Sequence, residues 1–320
     1  MHDVLIISEI NIMKLSSSTA PITLQHQSSS APAALACIER QKAHTKRRLL
    51  LGLLFSSSIG GLAYSRRSLS RSGVAGAIPT GMATFGFGGT SWGLSLIFFF
   101  VSSSFLSHFR ANDKASTAFD KFSKGSQRDL GQVIANGGVA TALACGYGLA
   151  RSPLLRTTLA AGYVGALATA TADTWATETG TLSPTPPRLI TNGQRVEAGT
   201  SGGITLLGTT SSAAGALTLG GFFKLLQRGA SPWLPLIALL SGLAGSLFDS
   251  LLGATVQAMY YCPTCQKETE RRIHSCGTPT QHLRGLRWLD NDVVNTLATA
   301  MGSVVAMLLH LGSTRRKRVS

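Results

Sequence analysis

Asp173-Thr174-Trp175-Ala176-Thr177-Glu178 closes a run of small, uncharged residues that begins near Ala160. A carboxylate in apolar surroundings is strongly disfavoured unless a cation, a proton or dedicated donors compensate it, so acids at the end of a membrane-type segment point to function. The two acids stand five positions apart, ~140° around a helix, and do not share a face. They can meet one ligand only if the helix ends between them, which Thr179-Gly180 permits. Asp249 lies deep in another apolar run and Asp292 opens the last one, where it is a natural N-cap. Asp173, Glu178, Asp249 and Asp292 together are the candidate catalytic acids. Their hard oxygens suit Mg²⁺, which takes one or two carboxylates plus substrate phosphates.

Gly199-Thr200-Ser201-Gly202-Gly203 precedes an apolar helix, and such loops offer backbone N–H groups to phosphate. It lacks the Walker lysine and the dinucleotide spacing. Arg128 and Arg188 are cations that could neutralise phosphate oxygens. Asn136, one turn after Gln132, and Asn291 with Asn295 add amides suited either to ligand contacts or to interhelical bonds and caps. Trp175 and Trp288 read as interfacial anchors. Cys262-Pro263-Thr264-Cys265, with His274 and Cys276, has the make-up of a closed tetrahedral Zn²⁺ site, His282 being an alternative fourth ligand. Four protein ligands leave no open position, so this zinc would be structural.

These residues need a scaffold. The chain has 320 residues, mean hydropathy +0.21 and 13% charged residues, against the roughly 25% usual in soluble domains. Charge-free windows at 49–65, 72–109, 130–150, 157–172, 198–223, 229–248 and 293–314 predict an all-α, polytopic membrane bundle of seven or eight transmembrane helices. The 72–109 window is long enough for two of them, broken at Gly86 to Gly89. The net charge of +15 does not imply nucleic acid. Lys46-Arg47-Arg48, Arg66-Arg67 and Arg315-Arg316-Lys317-Arg318 flank apolar segments, where cations meet anionic lipid, and no basic and aromatic interleaving occurs.

The expected organisation is an N-terminal segment, 1–45, that is disordered or targeting; a transmembrane domain, 46–314; a Cys/His hairpin inserted at 260–288; and a basic tail, 315–320. Such a protein is integral to a membrane: the cell membrane if bacterial, an organelle membrane if residues 1–45 are a transit peptide. Counting crossings places the connections 109–131, 176–203 and 260–291 on one membrane face, so their polar motifs can converge. The helix at about 233–258 repeats Gly245, Asp249, Gly253 and Gln257 at a spacing of four, one narrow polar stripe.

The segments FFFVSSSFLSHF, GSQRDLGQVIANGG, GYVGALATATADTWATETG, PRLIT, GTSGGITLLGTTSSAAG, DSLLGATVQ and LDNDVVN, in this order, resemble the transmembrane protein nineteen family over about Leu50 to Leu311. Its understood branch is the plant phytyl-phosphate kinases. The resemblance implies a polyprenyl or phytyl phosphate substrate in the membrane and a nucleoside triphosphate, CTP by analogy, with Mg²⁺. Arg128, Asn136, Arg188, Gly199, Thr200, Gly202, Gly203, Asn291 and Asn295 would then bind substrate or nucleotide. Two features depart from that branch: the Cys/His insertion, and Asp-Thr-Trp-Ala-Thr-Glu itself. The competing readings are a transporter or ion-coupled carrier using its intramembrane aspartates, and a non-catalytic membrane protein.

Overall fold

The computed structural model describes residues 30–111, 113, 114 and 127–319. Residues 1–29 of the expected N-terminal segment lie outside the described residues. The chain divides into two units, Met1–Ala43 and His44–Ser320, and everything below concerns the second unless stated. Of the first, the described part, from Ser30, is helical.

Eight helices are present among the described residues: α1 Ser30–Ser65, α2 Arg71–Ala83, α3 Thr90–His108, α4 Leu130–Leu149, α5 Pro153–Gly180, α6 Leu206–Leu226, α7 Leu234–Thr255 and α8 Asn291–Val319. Four stretches are long and apolar enough to cross a membrane: Thr45–Ser65 in α1, α3, α7, and Asn291–Arg315 in α8. That is fewer than the seven or eight expected from charge-free windows. The 72–109 window yields one such helix, because α2 has 13 residues and a five-residue π-turn, Thr84–Gly88, separates it from α3. For α5, the shortfall has a packing cause. Helix α5 touches α3, α4, α6, α7 and α8, and every residue from Ala161 to Ala172 is buried. Such a helix needs small residues for close approach more than apolar ones for lipid. The hydroxyls of its buried threonines are satisfied within the helix, Thr169 donating to the Gly165 carbonyl at 2.9 Å and Thr171 to the Leu167 carbonyl at 2.7 Å.

Helices α5, α7 and α8 approach closely at Gly165, Gly245 and Gly302. A Cβ on Gly302 would run into Thr169 Oγ1 and sit 3.1 Å from the carbonyls of Gly165 and Ser241. Gly302→Ala should therefore destabilise the bundle by about 1–3 kcal/mol, read as a lower unfolding midpoint in detergent. Gly312→Ala, on the same helix with open space around it, should not.

The all-α expectation needs one correction, since two small sheets decorate the bundle. Strands β1 Arg188–Leu189 and β2 Gly203–Ile204 pair antiparallel. Strands β3 Met259–Cys262, β4 Lys267–Thr269 and β5 Gln281–Arg284 form an antiparallel sheet in the order β4-β3-β5, so the 260–288 insertion is three-stranded rather than a hairpin. Gly285, at φ +82°, returns the chain to the bundle so closely that a Cβ would strike the Gln257 carbonyl. The last helix is capped by Asp290, whose Oδ1 accepts the Val293 N–H at 3.1 Å, and not by Asp292, which lies in the first turn.

Candidate functional site

Residues from all three long connections line one cavity of about 520 Å³. Asp173, Glu178, Asp249, Arg128, Asn136, Gly199, Thr200, Gly202, Gly203, Asn291 and Asn295 are all on its wall. Two predicted residues are not. Arg188 is exposed on β1, where its Nη1 donates to the Gly193 carbonyl at 2.9 Å and staples a turn. Asp292 sits beside the cavity wall formed by Asn291 and Asn295 without lining it.

Asp173 comes from the last turns of α5 and Asp249 from α7. Asp249 Oδ2 is buried with no hydrogen-bond partner, and its carboxylate lies within electrostatic reach of Asp173 and Glu270. Asp173 receives one long contact, Ser246 Oγ to Oδ1 at 3.5 Å. Ion pairs join Arg110 to Asp113 and Lys114 to Glu178, and no side-chain cation among the described residues pairs with either aspartate. Glu178 differs. Its Oε1 accepts from Ser107 Oγ at 2.6 Å and its Oε2 from Lys114 Nζ at 2.5 Å. Lys114 also donates to the Leu106 carbonyl at 2.6 Å, so this pair ties the end of α3 to the end of α5 at the cavity rim. Trp175 packs against Gly215, and its Nε1 donates to Ser102 Oγ at 3.4 Å, which places it between helices.

Arg128 is fixed through its backbone. Its N–H donates to the Ser68 carbonyl at 3.0 Å and its carbonyl accepts from Ser70 N–H at 2.9 Å. The guanidinium carbon lies 5.7 Å from the ring centroids of both Phe99 and Phe100, and Nη1 is buried without a hydrogen-bond partner. Burial lowers its pKa to about 10, with Glu178 opposing the shift, and the group remains cationic at neutral pH. An anion is the partner this geometry lacks. Gln132 is largely occupied by the N-terminus of α4, since its Oε1 accepts the Asp129 N–H in a capping box, and Asn136 Nδ2 donates to the Gln132 carbonyl at 3.0 Å.

The glycine loop departs from a simple phosphate cradle. Strand β2 and the N-cap Thr205 stand between it and α6, and the Gly203 N–H is used by the Thr200 carbonyl at 2.9 Å. Gly202 takes φ +82° and lies where a Cβ would meet Ala254 of α7, so this glycine serves close packing. Between them Ser201 Oγ donates to Glu270 Oε1 at 2.8 Å, and Gln257 Nε2 donates to the same oxygen at 2.8 Å. Glu270, just past β4, therefore joins the loop, the end of α7 and the small sheet. Glu270, Arg271 and Lys114 line the cavity but sit in charged connections that read as solvated surface; only Gln257 carried a signal, in the four-residue stripe.

The sheet also assembles the thiols. Among the described residues, the one group of three or more His, Cys, Asp or Glu ligand atoms lying within 4.8 Å of one another is Cys262, Cys265, His274 and Cys276. Cys262 Sγ and Cys276 Sγ are 3.7 Å apart, close to the edge of ~3.8 Å that a tetrahedron with ~2.3 Å zinc–sulfur bonds requires. Left-handed residues, Gln266 and Gly277, close the two Cys-bearing turns. Hydrogen bonding with Thr278 holds the Cys276 thiol down to about 6, while its contact with Cys276 pushes Cys265 up to about 11. Three crowded sulfurs and one imidazole fit a cation. His282 instead packs edge-on against Tyr260.

A family model described as Integral membrane protein DUF92 matches residues 54–303. The chain belongs to this family. The DUF92 match contains every residue of the cavity and of the Cys/His set. Among similar proteins, Protein PGR of Arabidopsis thaliana is 32% identical over 283 residues, covering 82% of this chain and 96% of its own length. An uncharacterized membrane protein of Methanocaldococcus jannaschii is 28% identical over 271 residues, covering 82% and 94%. Protein VTE6, chloroplastic, of Arabidopsis thaliana is 27% identical over 248 residues, covering 75% of this chain and 65% of its own. No solved structure matches.

Proposed function

We propose that this protein is an integral membrane kinase that converts a polyprenyl or phytyl monophosphate to the diphosphate with a nucleoside triphosphate and Mg²⁺. One observation carries the reading: a single cavity holds two aspartates that no side-chain cation among the described residues neutralises and an arginine whose buried Nη1 lacks a partner among them. A metal-bound triphosphate beside a substrate phosphate complements both. The resemblance to the phytyl-phosphate kinase branch supplies the substrate class and CTP as the first nucleotide to try.

In this reading Asp173 and Asp249 hold the nucleotide's Mg²⁺, whose charge would neutralise phosphate oxygens. Arg128 binds the substrate phosphate, with Asn136, Asn291 and Asn295 as neutral donors around the phosphates. Thr200 and the remaining amides of Gly199 to Gly203 face the nucleotide. An oxygen of the monophosphate attacks the terminal phosphorus, the bond to the bridging oxygen breaks, and the nucleoside diphosphate leaves. The attacking oxygen is already ionised, so no strong base is needed, and catalysis rests on positioning and charge neutralisation. Glu178 acts at the rim with Lys114, and Asp292 supports the start of α8. The Cys262, Cys265, His274, Cys276 set carries a structural Zn²⁺. Helices α4, α5 and α6 cross the membrane beside the four apolar spans, giving seven crossings.

The test is purified protein with Mg²⁺-CTP and geranylgeranyl or phytyl phosphate, scored for diphosphate. No product with any prenyl phosphate and any nucleotide defeats the kinase. The carrier reading draws on the same aspartates within α5 and α7. It requires an Asp249-dependent cation flux in proteoliposomes.

A further inference from the structure

A second cavity, about 80 Å³, lies among α1, α2, α3 and α4. Its sides are apolar, formed by Ile59, Ala77, Phe85, Leu96, Ile97 and Val133. Gly137 on α4 faces it, where a Cβ would make ordinary contact with Thr80 Cγ2 at 3.4 Å and Leu96 Cδ1 at 3.9 Å and a larger side chain would intrude. A slot of this size takes one hydrocarbon chain and excludes two side by side. Its distinguishing feature is the end wall. Arg128, Gln132 and Asn136 line both this slot and the acidic cavity, so the two spaces share a polar partition. On that partition Arg128 presents a buried, partnerless Nη1, while Phe99 and Phe100, which also line the slot, flank its guanidinium.

An apolar slot that ends on an unpaired cation is complementary to an amphiphile with a single tail and an anionic head. We propose that the slot holds the first carbons of a single-chain phosphate monoester, whose phosphate sits on Arg128 and turns its outer oxygens into the acidic cavity. A longer chain continues past the slot into lipid. The fate of the phosphate rests on the kinase reading above; its binding here does not. The arrangement would also orient the reaction. Anchored at tail and head, the substrate presents only its phosphate to the side where Asp173 and Asp249 lie.

Equilibrium dialysis of the nanodisc-embedded protein against radiolabelled geranylgeranyl monophosphate tests this. Gly137→Leu, which fills the slot, should weaken binding at least tenfold and leave inorganic phosphate binding unchanged, which also reports an intact fold. Ile97→Trp fills the slot from α3 and should give the same loss. Arg128→Gln should weaken both ligands. Wild-type affinity in both filled variants overturns the proposal, as does failure of the wild type to bind the monophosphate. Equal competition by dioleoyl phosphatidic acid overturns it too, by making this a two-chain lipid site. If binding follows the expected pattern and no diphosphate forms, the kinase fails while the slot stands. If diphosphate forms and the filled variants bind normally, the slot fails while the kinase stands.

Discussion

Asp249→Asn should abolish diphosphate formation, by roughly 10²–10³-fold in kcat, while raising the protein's unfolding midpoint. The two effects have one cause. Asp249 Oδ2 is buried without a donor, close to the carboxylates of Asp173 and Glu270. Holding that charge in the empty protein is unfavourable, and an isosteric amide removes it. Loaded with a metal-bound nucleotide, the same charge is an asset. Asp173→Asn should behave alike, with a smaller stability gain because Ser246 already contacts its Oδ1. Glu178→Gln should do the reverse and destabilise, since it breaks the Lys114 pair and leaves that ammonium short of its partner. Unfolding curves with and without Mg²⁺-CTP, beside the activity assay, separate these outcomes. An active and unaltered Asp249→Asn would make the aspartates structural.

Disrupting the proposed Cys/His metal site should disable the cavity without touching its aspartates. Cys262→Ser/Cys265→Ser should lose one zinc equivalent by metal analysis and weaken nucleotide binding about tenfold or more, in line with the effect of disturbing groups that orient a site. The link is Glu270, which leaves the small sheet to receive Ser201 of the glycine loop and Gln257, just past α7, on one oxygen. Glu270→Gln should keep its zinc and reproduce much of the weakened nucleotide binding. Zinc-free wild-type protein would sink the metal, and full nucleotide binding by the double serine variant would sink the link.

Several parts of this molecule were written plainly in its sequence. Apolar periods are local, so the helices could be read, as could the stripe Gly245, Asp249, Gly253, Gln257 that brings an acid to the cavity. Asp173, Arg128 and Asn136, which line the cavity, stand out in the sequence because a charge or amide beside an apolar run is conspicuous. Glu270 and Lys114 were not, because they sit among other charges and gain meaning only when distant elements fold onto them. Arg188 misled for the complementary reason. A cation after prolines looks available, yet its strand turns it toward the Gly193 carbonyl. The small sheets were missed because two- to four-residue strands carry no period to detect.

Helix α5 has one further consequence, for how the protein is made. Its Ala, Gly and Thr residues suit a position enclosed by five other helices, and that same composition leaves it outside the set of stretches apolar enough to cross a membrane by their own character. A nascent chain that has reached only Gly180 has made α3 and α4 but not α6, α7 or α8. At that moment the axis of the bundle is a poor lipid-facing segment. In the seven-crossing arrangement proposed above, its place in the bilayer depends on helices encoded more than twenty residues downstream, and a ribosome that stops between them leaves the bundle's centre without its wall.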